Sequence, residues 1–162
     1  LDCAFFTGEC PPGLEAFPLY EDRYYLVVSQ DSELADLDQV SVEDVAGKDP
    51  FIPTNESFDD GSTIREIYQK LSKFSIFDGE PQENQMAVAL AEHGLGVTIL
   101  PGLTLHDLVT SRQVKPGPLK EDFRRNISLL CPKEGERTAA TSAFLRLTQQ
   151  EVARWEQERK IL

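Results

Sequence analysis

The chain has 162 residues, of which 40% are hydrophobic and 27% charged, and a formal net charge of −12 at pH 7. That balance fits a folded globular chain of one domain or two small lobes and excludes a disordered one. No apolar run approaches the roughly 20 residues of a membrane span, no basic-apolar-small leader opens the chain, and the acidic surplus is the wrong sign for neutralising phosphates, so specific DNA binding by this chain alone is not expected.

In chain order, Leu1-Asp2-Cys3-Ala4-Phe5-Phe6 reads as a strand. A start inside a strand without a Met suggests a piece of a longer protein. Gly8 to Gly13, with Pro11 and Pro12, is a turn cluster. Residues 15–20 are semi-extended, and Tyr24-Tyr25-Leu26-Val27-Val28-Ser29 is a strand rich in β-formers. Gln30 to Val40 is a polar connection. Ser41-Val42-Glu43-Asp44 opens a short helix with Ser41 and Asp44 at capping-box spacing, and Gly47 ends it. Phe51-Ile52-Pro53 is a short strand entering the polar loop Thr54 to Gly61.

A helix follows, with Ile64, Ile67, Tyr68 and Leu71 at i, i+3, i+4 and i+7. Phe74 to Phe77 is another strand. Pro81 suits the first turn of the next helix, which carries Met86, Leu90 and His93 on one stripe and stops at Gly94. Leu95 to Leu100 is a buried strand closed by Pro101-Gly102, and a short helix over about 103–109 precedes a strand near Gln113-Val114. Pro116-Gly117-Pro118 breaks the chain. Ile127 to Cys131 is the last strand, and a long helix spans about Thr138 to Arg159 with Phe144, Leu147, Val152 and Trp155 as its apolar stripe.

Alternation of this kind predicts an α/β fold with parallel strands and helices on the sheet faces. It is tightest between about 41 and 110, which places one lobe at 30–112 and leaves 1–29 and 113–162 to form the other.

The three cysteines, Cys3, Cys10 and Cys131, form no CxxC, and His93 and His106 sit in no metal spacing. An odd thiol count without a leader points to a reducing, cytoplasmic setting. Cys3 and Cys131 lie in apolar runs as small buried hydrophobes, and Cys10 lies in an exposed turn. The sequence holds no G-x-S-x-G, P-loop, dinucleotide fingerprint or H-E-x-x-H, and neither histidine has a nucleophile beside it, so an enzyme is not expected and no cofactor or metal is implied. Asp59-Asp60 near Glu56 could in principle hold a cation, but a solvated acidic loop is the preferred reading.

A binding site is easier to place. In open α/β sheets, ligands sit beyond the carboxyl ends of strands, at helix N-termini. Pro53, Thr54 and Asn55 offer a rigid backbone, a hydroxyl and an amide in an exposed loop there, and the backbone N–H groups of Ser62-Thr63-Ile64 would favour a carboxylate, unless Ser62 or Thr63 merely caps its helix. Phe6 and Thr7, past the first strand, would face the same cleft from the other lobe, and Gln85 could reach in.

Several runs, in order, resemble the effector-binding (substrate-binding) domain of LysR-type transcriptional regulators. They are Leu1-Asp2-Cys3-Ala4-Phe5; Leu19 to Val28; Glu33-Leu34-Ala35 followed by Ser41 to Ala46; Phe51-Ile52; and, most specific, Ala89-Leu90-Ala91-Glu92-His93-Gly94-Leu95-Gly96-Val97-Thr98-Ile99-Leu100-Pro101. Phe144 matches the family's final-helix Phe. The resemblance implies a periplasmic-binding-protein-like (type 2) α/β fold of two Rossmann-like lobes, here with an incomplete first lobe and no helix-turn-helix. It also implies a small carboxylate or aromatic effector in the inter-lobe cleft, contacted in the regions of Phe6, Thr7, Pro53, Thr54, Asn55 and Gln85. Further implications are a dimer or tetramer in the full-length protein, DNA contact only through an N-terminal domain absent from this chain, and no membrane. A transporter's solute-binding protein, on the same fold, is the alternative. Peroxide-sensing relatives keep their reactive cysteine pair in the second lobe. Residues 30–112 contain no cysteine, so no intramolecular disulfide switch is expected.

Overall fold

The computed structural model describes residues 2–45, 48–54, 66–67, 69–70, 78, 83–110 and 112–158. The chain divides into two compact units, residues 1–22 with 125–161 and residues 23–124. It passes from one to the other at Asp22–Arg23 and Arg124–Arg125.

Unit 1 contains β1 (Ala4–Thr7), the first half of β2 (Leu14–Ser29), most of the last strand and the long final helix. The semi-extended stretch and the strong strand expected as two pieces are one continuous 16-residue strand, β2. Gly13, at φ +88°, supplies the left-handed residue of the turn that leads into it. The last strand (Arg124–Pro132) pairs antiparallel with β1, with Ala4 opposite Leu130 and Phe6 opposite Ser128, and has β2 as its other neighbour. Thr138 caps the final helix (Ala139–Glu158), its hydroxyl accepting the Thr141 N–H at 3.1 Å.

That helix buries Thr141 and Leu145, while Phe144 and Leu147 are 43% and 54% exposed. The expected stripe holds at Val152 and Trp155, half-buried, the latter edge-on to Tyr20 at 5.1 Å, and is corrected in its first half, where Thr141 and Leu145 are buried in place of Phe144 and Leu147. Leu145 meets Leu129 and Cys131 in a small core, against which Cys3, Phe17 and Leu19 pack. Asp22 is only 1% exposed. Its carboxylate is held by the Arg125 guanidinium at 3.1–3.2 Å, the pairing a buried charge requires.

Unit 2 is built around the second half of β2. Tyr24, Leu26 and Val28 point into one hydrophobic cluster, with Val40, Val42, Val45, Phe51, Leu119 and Phe123. Tyr25 and Val27 point into another, with Ile52, Ala87, Val88, Ala91, Leu100, Leu105 and Val114. An unbroken apolar run is what a strand covered on both faces needs. It pairs antiparallel on one side with β3 (Thr98–Pro101), Tyr25 opposite Leu100, and on the other with β4 (Val114–Pro118), Leu26 opposite Gly117. The last strand of unit 1 is thus β5.

Two expectations fall here. Among the described residues the pairs β1–β5, β2–β3 and β2–β4 are antiparallel, and parallel pairing is seen at the single bridges Val40–Leu119 and Phe51–Val97. Alternation of elements does not encode strand direction when short strands fold back on a long one. Nor does Pro116-Gly117-Pro118 break the chain: it continues β4 as an outer strand, where a missing N–H costs no ladder bond.

The connection 30–40 holds a 3-10 turn, Glu33–Asp36, that buries Leu34 and Ala35 beneath a Ser32 cap. The capping box closes as its spacing predicts. The Ser41 hydroxyl accepts the Asp44 N–H at 3.1 Å, and the Asp44 carboxylate accepts the Ser41 N–H at 2.9 Å, at the start of α1 (Val42–Val45). These bonds from Ser41, with Lys120 at 3.2 Å, hold the Asp44 carboxyl down at about 2. The next described helices with full bounds are α2 (Asn84–Glu92) and α3 (Gly102–Leu108), so the final helix is α4. The α2 stripe holds at Leu90, which packs against the cluster of the buried Ala87, Val88 and Ala91, and is corrected at Met86, 51% exposed, and at His93, which lies in solvent. Gly94 stops α2 at φ +69°, with Leu95 N–H reaching back to the Leu90 carbonyl at 3.1 Å. The expected helix around Ile67 is seen only at residues 66–67 and 69–70; the strand at 74–77 and the turns at Gly47 and Pro81 lie outside the described residues.

Candidate functional site

The segment Pro50–Thr54 positions the expected site within unit 2. It is fastened to the start of β3 by three bonds. Val97 N–H donates to the Pro50 carbonyl at 2.9 Å, Ile52 N–H to the Val97 carbonyl at 2.7 Å, and the buried Thr98 hydroxyl to the Ile52 carbonyl at 3.0 Å. The approach is close enough to exclude a side chain at residue 96. A Cβ on Gly96 would meet the Pro50 carbonyl oxygen and lie 2.9 Å from Ile52 Cγ1.

The segment therefore delivers Pro53 and Thr54 on a rigid base. Both are buried, Thr54 at 0% exposure, which corrects the expectation of an exposed loop at these two positions. Asn55, with Ser62, Thr63 and Ile64, lies outside the described residues. Gln85 stands exposed on the first turn of α2. That helix is tethered at its far end by Glu92, which accepts the Gln113 N–H at 2.8 Å and pairs with Arg112 at 3.2 Å; those contacts lower its carboxyl pKa, the Gln113 bond foremost. In unit 1, Phe6 and Thr7 end β1, opposite Ser128 and Ile127, with Phe6 exposed and Thr7 half-buried.

A different feature appears at the opposite end of the same segment. A cleft of about 410 Å³ opens in unit 2 between the end of β2 (Val28, Ser29), the 31–34 turn, Lys48–Asp49 and the stretch Gly94, Gly96 and Val97. None of the six expected site residues lines it. Its lining residues include three acidic ones, Asp31, Glu33 and Asp49, and one basic one, Lys48. The Ser29 and Ser32 hydroxyls accept the N–H groups of Asp31 and Leu34 at 3.3 and 3.2 Å and so hold the rim in shape. Sequence reasoning missed this cleft. Its signal was the pair Gly94 and Gly96, which is legible as a helix stop and a close approach but not as a wall without side chains. Among the described residues no group of three or more His, Cys, Asp or Glu is arranged to hold a metal ion.

The family model described as the LysR substrate binding domain matches residues 1–153. Among solved structures, the chain is similar to the regulatory domain of Synechocystis PCC6803 CcmR in complex with 2-PG. The identity is 15% and the TM-score 0.74, over 93% of this chain and 73% of that one. It is similar to the effector binding domain of QuiR in complex with shikimate at 22% identity and TM-score 0.72, over 94% and 72%. It also resembles HinK, a LysR family transcriptional regulator from Pseudomonas aeruginosa, at 16% identity and TM-score 0.74, over 93% and 53%. The chain thus spans about half the length of the longer regulators it matches. These likenesses place it on the periplasmic-binding-protein-like type 2 fold. No curated protein sequence matches it.

Proposed function

Because the chain belongs to the LysR substrate-binding domain family, we propose that it is the ligand-sensing module of a LysR-type transcription factor, working as a binding domain rather than an enzyme. The family match over nearly the whole chain carries this reading. Two structural relatives are named with a small ligand bound, 2-PG in one and shikimate in the other. By extension the effector here is a small carboxylate or aromatic acid. The effector-contact residues in this proposal are Pro53, Thr54, Asn55 and Gln85 in unit 2 and Phe6 and Thr7 in unit 1, and the two units, bordered at 22/23 and 124/125 where the sequence suggested 29/30 and 112/113, stand for the family's two lobes.

Ligand acts by favouring one arrangement of the regulator over another, and it can shift that balance only by its difference in affinity for the two. A net charge of −12 is the wrong sign for neutralising phosphates, so in this reading DNA is contacted by another part of the regulator. The assembly is a cytoplasmic homo-oligomer, a dimer or tetramer. No described helix is long and apolar enough to cross a membrane.

Calorimetric titration of the full-length regulator with a panel of small carboxylic acids, shikimate included, tests the reading. One member of the panel should bind saturably, and Asn55→Ala or Gln85→Ala should weaken it by about 1–2 kcal/mol, the loss of one hydrogen bond to a charged group. Thr54→Ala is the less clean variant, because its side chain is buried. Binding unchanged in all three variants would remove this region from the site.

A further inference from the structure

The strand register of unit 1 brings together two cysteines from opposite ends of the chain. Ala4 lies opposite Leu130 in the antiparallel β1–β5 pair, so the next pair outward is Cys3 opposite Cys131. Both are free thiols. They share a face: Cys131 is fully buried with Leu129 and Leu145, and Cys3, half-buried, packs against that same cluster. Directly opposed residues of an antiparallel pair hold their Cβ atoms about 4.5–5.5 Å apart. A disulfide needs about 3.5–4.5 Å, with Cα atoms about 4.4–6.8 Å apart. Closure therefore asks for a shift of about 1 Å in one edge strand. The third thiol is elsewhere: Cys10 is exposed in the turn after β1 and faces its neighbour's carbonyl.

We propose that Cys3 and Cys131 are a dithiol pair that closes to a cross-strand disulfide by exchange with a small-molecule disulfide. The expectation that this chain has no disulfide switch rested on the absence of cysteine from residues 30–112, and does not reach a pair made in unit 1.

The two thiols divide the work by accessibility. Cys3, reachable from solvent, attacks as thiolate. A Cys3–S bond forms to one sulfur of the small disulfide, the S–S bond breaks, and the other half leaves as a thiolate that takes up the Cys3 proton. Cys131 then attacks the Cys3 sulfur of the mixed disulfide. The second half leaves and takes the Cys131 proton. Two protein thiols are oxidised by two electrons in all, and one small disulfide is reduced to two thiols. Burial, and after it the neighbouring Cys3, push the Cys131 thiol up, with Arg137 pulling the other way. Cys131 is thereby the slower of the two to react and follows Cys3 in the sequence.

The test is incubation of the intact chain with glutathione disulfide, followed by N-ethylmaleimide and mass spectrometry. The expected product has lost two hydrogens, carries maleimide only on Cys10, yields a linked Cys3–Cys131 peptide, and returns to three alkylatable thiols in dithiothreitol. Cys10→Ser should keep the bond. Cys131→Ala should stop the reaction at a Cys3–glutathione adduct, and the wild-type result stands without that variant should it fail to fold. In urea, where chain proximity rules, Cys3–Cys10 should replace Cys3–Cys131, because the shorter loop closes more readily. A persistent glutathione adduct on Cys3 in the folded wild type, a Cys3–Cys10 bond, a bond between chains, or three maleimides after oxidation would each overturn the proposal.

Discussion

The two units answer the same problem, one sheet to be covered, with very different amounts of core. In unit 2 the stretch Tyr24–Val28 is buried from both sides, and two clusters share the strand between alternate residues. In unit 1 the fully formed cluster is Leu129, Cys131 and Leu145, and large apolar side chains stay in water around it: Phe5 is 60% exposed, and Phe6, Phe144 and Leu147 are also exposed. Burial of apolar area is the main favourable term in folding. Unit 2 is therefore the stable platform and unit 1 the region whose order rests on a few contacts. Local stability of this kind sets which elements open first.

The comparison can be broken most directly at the two cores. Leu26→Ala, in unit 2, should cost about 3–5 kcal/mol, at the upper end for a leucine whose cavity cannot collapse, whereas Leu145→Ala, at the margin of the unit 1 cluster, should cost about 2. Urea denaturation of both variants decides it, and equal losses would mean the units are equally well packed. Next in size is Gly96→Ala. Its methyl group collides with the Pro50 carbonyl and Ile52, so a loss of about 1–3 kcal/mol is expected, with faster amide exchange at Ile52 and Val97.

The smallest effect is at the capping box. Ser41→Ala should cost about 1 kcal/mol. The Asp44 carboxyl, held at about 2 against an ordinary 3.8, adds stability that is complete above pH 4 and is lost as the pH falls toward 2. An acid titration of thermal stability should therefore show a step in that window that shrinks in Ser41→Ala. A step of unchanged size would assign the acid sensitivity to other carboxylates, such as Asp122, which Arg124 and Arg23 also hold low.

What was legible in the sequence is what local chemistry dictates. Ser41 and Asp44 are read correctly because the box needs only its own four residues, and Gly94 because a left-handed stop is a one-residue requirement. The family resemblance is legible for the same reason, since Gly94, Gly96 and Pro101 fall in one short run. Tertiary choices were not. Period 3.6 allows two neighbouring stripes on the final helix, and the bulkier one, with Phe144 and Leu147, is the exposed one. On α2 the small residues Ala87 and Ala91 do the burying because the sheet lies close, which hydrophobicity alone ranks below Met86. Of the candidate site, the short strand at Phe51–Pro53 was legible, but its fastening to Val97 and Thr98, more than 40 residues away in sequence, was not. The pairing of Cys3 with Cys131 depends on a register that nothing local specifies.

The outer strand of unit 2 has a further consequence for how the molecule behaves in a crowd. The Pro118 carbonyl accepts the Val40 N–H at 3.1 Å, on the side of β4 away from β2. A strand residue's nitrogen and carbonyl point the same way, and alternate residues repeat the direction, so the nitrogens of Pro116 and Pro118 both face outward. At these two positions the rim of the sheet carries no hydrogen to offer. A passing extended chain finds no donor at these positions and cannot continue the ladder. The proline pair thus works as a selvedge: it lets a sheet with an open side remain finished, and keeps unit 2 from templating the growth of another copy upon itself.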